Sequence, residues 1–387
     1  VAITDFDDIR PYNDNEVRPV LERNLNNREF IGAVASLRFP RAAGVLGFVV
    51  RPLVRMVLRH QFGKVANVLD FQIIVERYVA RMIASTTTQF TVSGLENLDR
   101  SQPYLFVSNH RDITLDPALV NYSLHHAGHD TVRIAIGDNL LTKDYASDLM
   151  RLNKTFIVKR SAKGPRELLA SLRKLSAYIR QSITVDRHSV WIAQREGRAK
   201  NGIDQTEPAI LKMFALSAPK GTSVGAGLLE LKMVPVSISY EYDPCDLMKA
   251  RELYIVATAG SYQKGPQEDI ASIAAGITGT KGDVHLAFGR PLTILPDSVD
   301  EVATMFDREI VTNYVLHPSN YFAFHALYGE YPRGVYGAKC VQFDASALES
   351  HRVEFAARLE QCPPDHRPFF LANYANAIVS KQKLGLM

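Results

Sequence analysis

Phe106-Val107-Ser108-Asn109-His110-Arg111-Asp112-Ile113-Thr114-Leu115-Asp116-Pro117 joins an apolar strand to the start of a helix, with a histidine at the junction. Asp116 before Pro117 has the form of an N-cap followed by proline at the first helical position. The imidazole then stands at the carboxyl end of a strand, where open α/β sheets hold their ligands. Histidine titrates near neutrality and can take a proton from a hydroxyl at physiological pH. A carboxylate within reach would fix its tautomer and stabilise the imidazolium. Taken alone, the segment equally fits a plain helix cap beside a satisfied buried histidine.

Outward from this junction, short β-rich runs alternate with helical stretches between about residues 88 and 295. The runs are Gln89 to Val92, Tyr104 to Ser108, Val132 to Ile136, Thr155 to Val158, Val190 to Ala193, Val234 to Ser239 and Val284 to Phe288. Pro165 to Gln181 carries proline in the first turn and apolar residues at helical spacing. The alternation predicts an α/β layered domain over 86–295, with a largely parallel sheet and helices on both faces. Residues 1–85 and 296–387 read as helical N- and C-terminal regions, the latter with an aromatic-rich loop around Tyr314 to Tyr336.

Within the N-terminal region, Ala42 to Arg59 is almost wholly apolar except for Arg51, Arg55 and Arg59, and Pro52 should kink it. Two readings fit: a core helix with one solvated arginine stripe, or an interfacial segment (42–59) with arginines at lipid headgroups.

The chain has 387 residues, 45 basic against 41 acidic, a net charge of +4 and 46% hydrophobic residues. At roughly 150 residues per domain it has room for two domains, or for one large α/β core with extensions. The charge balance gives no support to a nucleic-acid binder. Cys245, Cys340 and Cys362 are widely spaced without a C-x-x-C pair, so neither a disulfide framework nor a zinc site is expected, and a reducing compartment fits. No apolar run is long enough for a transmembrane helix. The stretch Val1-Ala2-Ile3-Thr4-Asp5 has neither a basic n-region nor an apolar h-region, so no signal peptide is expected of it.

Four blocks in order carry a family resemblance. They are Phe90 to Leu98 leading into Ser108-Asn109-His110, Lys154-Thr155-Phe156-Ile157-Val158-Lys159-Arg160, Arg195-Glu196-Gly197-Arg198-Ala199-Lys200-Asn201-Gly202, and Val234-Pro235-Val236-Ser237-Ile238. Over about residues 88 to 240 the chain resembles the glycerolipid acyltransferase superfamily, which includes the glycerol-3-phosphate and 1-acyl-glycerol-3-phosphate acyltransferases.

The resemblance implies transfer of an acyl group from an acyl-CoA or acyl carrier protein thioester to a glycerophosphate or lysophospholipid hydroxyl, with 1-acyl-glycerol-3-phosphate favoured. His110 would be the base. Arg111, Phe156, Lys159, Arg160, Glu196, Gly197, Arg198 and Lys200 would serve the substrates, the cations binding the acceptor's phosphate. No cofactor or metal is implied. The expected location is cytoplasmic, peripheral at the inner face of a membrane. Two departures stand out. The usual H-x4-D places Leu115 at the acidic position, so the orienting carboxylate is either Asp116, favoured by its helix-start context, or Asp112. Glu196-Gly197-Arg198-Ala199 also replaces the usual Glu-Gly-Thr-Arg.

Three other motifs compete weakly. Gly221-Thr222-Ser223-Val224-Gly225 fits the serine esterase pattern, but a helix and a turn precede it where a strand is required. His125, His126 and His129 have metal-like spacing, which Gly128 interrupts. Gly276 to Gly282 lacks the Walker order. A non-catalytic lipid-binding protein that keeps the acyltransferase fold is the remaining alternative.

Overall fold

The computed structural model describes residues 5–39, 46–161, 164–265, 267–332 and 345–387. Contacts divide the chain into two compact units interleaved in sequence: residues 1–80 with 132–178, and residues 81–131 with 179–387.

Among the described residues the second unit holds five strands: β1 (Thr87–Ser93), β2 (Leu105–Ser108), then beyond the inserted segment β5 (Val190–Ala193), β6 (Met233–Tyr240) and β7 (Gly282–Phe288). Their order is β1-β7-β6-β2-β5. β2 runs parallel to both β5 and β6, with Ser108 level with Ala193 and Val236, and β1 runs parallel to β7. Only β6 with β7 is antiparallel among these pairs. Every residue of β2 and β6 is buried, so neither shows the alternation of a half-solvated strand. Because β5, β2 and β6 are parallel neighbours, their carboxyl ends lie side by side. The residues leaving those ends are Gln194, Asn109 and Glu241.

Helices complete this unit. Leu115–His126 follows β2, and Asp246–Ala259 and Glu268–Thr278 lie between β6 and β7. After β7 come Val299–Asn313, Pro318–Tyr328, Ala345–Glu360 and Arg367–Lys383. The last three meet in an aromatic cluster built on Phe324, Phe355, Phe370 and Tyr374. Cys245 and Cys362 are free and buried. Cys340 and the end of the aromatic-rich stretch, 333–336, lie outside the described residues.

The first unit pairs β3 (Arg133–Gly137) with β4 (Thr155–Val158) in parallel. Helices Asp14–Asn26, Arg28–Arg38, Gly47–Phe62 and Asp144–Leu152 belong to it, with most of Val68–Thr86 and Pro165–Thr184. Val17, Leu21, Phe30, Val54, Leu58, Phe62 and Phe71 form its core. The backbone N–H of Ile157 in β4 donates to Ile9 O, which ties the N-terminal strap to the strand. Residues 42–45 of the segment expected to be helical lie outside the described residues, and Pro52 sits inside the helix that follows them.

Candidate active site

The turn after β2 brings His110 and Asp116 together. His110 Nδ1 lies 2.8 Å from Asp116 Oδ2, and that same oxygen accepts the backbone N–H groups of Arg111 at 2.6 Å and Asp112 at 3.0 Å. The other oxygen, Oδ1, accepts the Tyr240 hydroxyl at 2.8 Å. Asp116 is wholly buried, and four donors surround it. A carboxylate so placed can only accept, so Nδ1 of His110 carries the proton and Nε2 is the basic ring nitrogen. The His110 side chain keeps 14% exposure, and its ring meets the Trp191 ring edge-on at 6.0 Å.

Asp116 is not the N-cap that its place before Pro117 suggests. The helix begins at Leu115, with Thr114 in the N-cap position. The capping work falls to Asp112, whose Oδ1 accepts from Thr114 N and Leu115 N at 2.9 Å each. With those donors served by Asp112, the Asp116 carboxylate is left for the histidine. Asp112 is itself buried, its Oδ2 has no hydrogen-bond partner among the described residues, and burial with the neighbouring Asp116 charge raises its pKa. A Cβ at Gly276 would lie 2.4 Å from that oxygen, so glycine there makes room for Asp112.

The turn is fastened from several sides. Asn109 brackets Ile238 of β6, donating to its carbonyl and accepting from its N–H. Arg111 is buried, with Nη2 on Asp204 Oδ2 at 2.6 Å and the guanidinium 5.4 Å from the Tyr314 ring centroid. Buried Lys249 donates to the Arg111 carbonyl at 2.8 Å and pairs with Asp243. Ser108 Oγ accepts the Trp191 indole N–H at 3.0 Å.

The third block returns to the same place. Ala199 N donates to the His110 carbonyl at 2.9 Å, which anchors the Glu196-Gly197-Arg198 loop beside the histidine. Gly197 takes φ +73, a left-handed conformation that favours glycine, and both Gly197 and Glu196 are exposed. Arg198 Nη2 reaches Ser272 Oγ at 3.3 Å, while the buried Nη1 has no hydrogen-bond partner among the described residues. Burial opposes the charge of Arg198, and Cys245, Asp243 and Asp112 more than offset it, so its pKa is raised. Lys200 is paired with Glu252.

Phe156, Lys159 and Arg160 belong to the other unit. Phe156 is fully buried with its ring 5.1 Å from that of Tyr178. Lys159 and Lys174 both pair with Asp8. Arg160 N donates to Asp138 Oδ1 at 3.1 Å, and the Arg160 side chain lies over Gly137.

Tyr240, Trp191, Asp204 and Gly276 are the parts of the site that sequence reading missed. Tyr240 ends a strand that turns out to neighbour β2, a signal usable only once the pairing is known. Ser223 caps the short helix Val224–Leu229 through Ala226 N and follows no strand, so its setting is not that of an esterase nucleophile. Among the described residues no group of His, Cys, Asp and Glu is arranged to hold a metal ion.

Residues 89–238 match the family model described as Acyltransferase. That stretch runs from the lead-in of the first block to the end of the fourth. The solved 1-acyl-sn-glycerophosphate (LPA) acyltransferase PlsC from Thermotoga maritima aligns with 75% of this chain and all of its own, at 16% identity and a TM-score of 0.38, too distant a likeness to transfer a substrate. No curated protein matches the chain.

Proposed function

We propose, from the premise that residues 89–238 belong to the acyltransferase family, that the protein moves a fatty acyl group from a thioester to a glycerophosphate or lysophospholipid hydroxyl in phospholipid biosynthesis. 1-Acyl-glycerol-3-phosphate is the favoured acceptor, and the donor is an acyl-CoA or acyl carrier protein thioester. The observation that carries the mechanism is the His110–Asp116 pair, with Nδ1 at 2.8 Å from the carboxylate, the arrangement in which Nδ1 bears the proton and Nε2 is free to accept one. Nε2 takes the proton of the acceptor hydroxyl as its oxygen attacks the thioester carbonyl. The tetrahedral intermediate collapses, the C–S bond breaks, and the imidazolium returns the proton to the departing thiolate. Asp116 holds the ring in this tautomer and stabilises its charged form.

Arg198 is the favoured partner of the acceptor's phosphate, since its Nη1 has no hydrogen-bond partner among the described residues and it stands on the loop fastened to His110. Arg111 and Lys200 already hold Asp204 and Glu252 and act as supports in this reading. The reaction takes place at a membrane surface, where the lysolipid and product reside, on the cytoplasmic side. No helix among the described residues is long and apolar enough to cross a bilayer.

The test is an acyl-transfer assay with both donor carriers across glycerol-3-phosphate, 1-acyl-glycerol-3-phosphate and other lysolipids. His110→Ala should lower transfer by orders of magnitude while the protein stays folded. Unchanged turnover would exclude His110 as the base, and failure of the unmodified protein with every acceptor would favour the non-catalytic lipid-binding reading.

A further inference from the structure

Helix Gly47–Phe62 has two apolar faces. Val50, Val54, Leu58 and Phe62 fill the core, whereas Val49, Leu53, Met56 (62% exposed) and Val57 stand in solvent on another side, and Phe48 (76%) stands in solvent on the side of the arginines. An apolar face this exposed marks an interaction site. Along its flank Arg51, Arg55 and Arg59 follow at four-residue steps. With Arg28 from the preceding helix they line an open cavity of about 1010 Å³, which Met56 also borders. Among the described residues none of these four arginines is paired with a carboxylate. Guanidinium groups left unpaired around a cleft match a phosphate's geometry, and the adjoining apolar face matches acyl chains.

We infer that this cleft binds the headgroup phosphate of an anionic phospholipid while Val49, Leu53, Met56 and Val57 enter the acyl layer beside it. The inference rests on the proposal that the protein works at a membrane surface and adds the lipid class and the residues that select it. A free phosphate ion would use the arginines but gain nothing from the apolar face, so the lipid is the occupant that accounts for both.

Co-sedimentation of the full chain with vesicles of phosphatidylcholine, alone or mixed with phosphatidylglycerol, tests it. Phosphatidylglycerol should strengthen binding, and Arg51→Gln with Arg55→Gln should weaken binding to the mixed vesicles about thirtyfold. Met56→Gln with Val57→Gln should weaken binding to both kinds. Equal binding of the unmodified chain to both vesicle kinds would overturn the inference, as would an arginine variant that keeps its preference. Displacement by millimolar inorganic phosphate, but not by chloride of matched ionic strength, would make the occupant a free anion and overturn the lipid assignment. Should the arginine variant not fold, a salt titration of the unmodified chain serves: binding to the mixed vesicles that ignores ionic strength refutes the headgroup site. A chain that prefers anionic vesicles yet acylates no acceptor leaves this site standing and removes the proposed activity. A chain that acylates without that preference does the reverse.

Discussion

Tyr240 donates its hydroxyl at 2.8 Å to Oδ1 of Asp116, the carboxylate whose Oδ2 holds His110. The last residue of β6 thus fixes the residue that orients the imidazole. Tyr240→Phe leaves Oδ1 buried without a donor, at a cost of about 1–3 kcal/mol. The expected outcome is a lowered urea midpoint together with a severalfold fall in kcat, since the carboxylate gains freedom to turn from the ring. A variant as stable and as active as the unmodified protein would show that the hydroxyl does neither.

The two aspartates should separate cleanly in a transfer assay. Asp116→Asn keeps the volume but removes the charge and permits the wrong histidine tautomer, so kcat should drop by about 10³ to 10⁴. Asp112→Asn retains an oxygen for Thr114 N and Leu115 N and removes a buried carboxylate whose pKa is already raised, so activity should stay within about tenfold. The reverse ranking would make Asp112 the orienting residue.

Gly276→Ala should destabilise the protein although alanine is the better helix former. The new Cβ would meet Asp112 Oδ2 at 2.4 Å, and overpacking of that kind costs about 1–3 kcal/mol, against about 1 kcal/mol gained in helix propensity. A net loss of up to about 2 kcal/mol is expected in denaturant titration. Combining the change with Asp112→Ala should recover part of it.

Lys281 supplies a pH signature. It is fully buried, donates to Thr86 Oγ1 and Gly279 O at 2.8 Å each, and burial pushes its amine down to about 8, with Asp112 and Cys245 pulling the other way. Between pH 8 and the ordinary lysine value of 10.5 the unfolded chain binds more protons at this position than the folded one. Lys281 therefore costs stability below pH 8, and the cost fades as pH rises through that window. The stability of the unmodified protein relative to Lys281→Met should rise with pH there, by up to about 1.4 kcal/mol per unit. A difference constant from pH 7 to 10.5 would refute the assignment.

Ser223→Ala should leave acyl transfer unchanged and cost about 0.5–2 kcal/mol of stability, the worth of a helix cap. Loss of activity on this change would revive the esterase reading.

Local signals in the sequence were enough to place the strands, because apolar runs bounded by turns need no partner to be recognised. Gln89 to Val92, Thr155 to Val158 and Val190 to Ala193 each fall within an observed strand. The His110 junction and the Glu196-Gly197-Arg198 loop were legible for the same reason: their chemistry lies in neighbouring residues. Folding alone decided which carboxylate serves the histidine. Asp112 and Asp116 are both within reach along the chain, and the choice fell on Asp116 because Asp112 is taken up by the N–H groups at the helix start, a competition that depends on where the helix begins. Tyr240 lies 124 residues from Asp116 and reaches it only because β6 pairs beside β2. Hydrophobic period can specify a strand, but long-range pairing and burial select the groups that meet at its end.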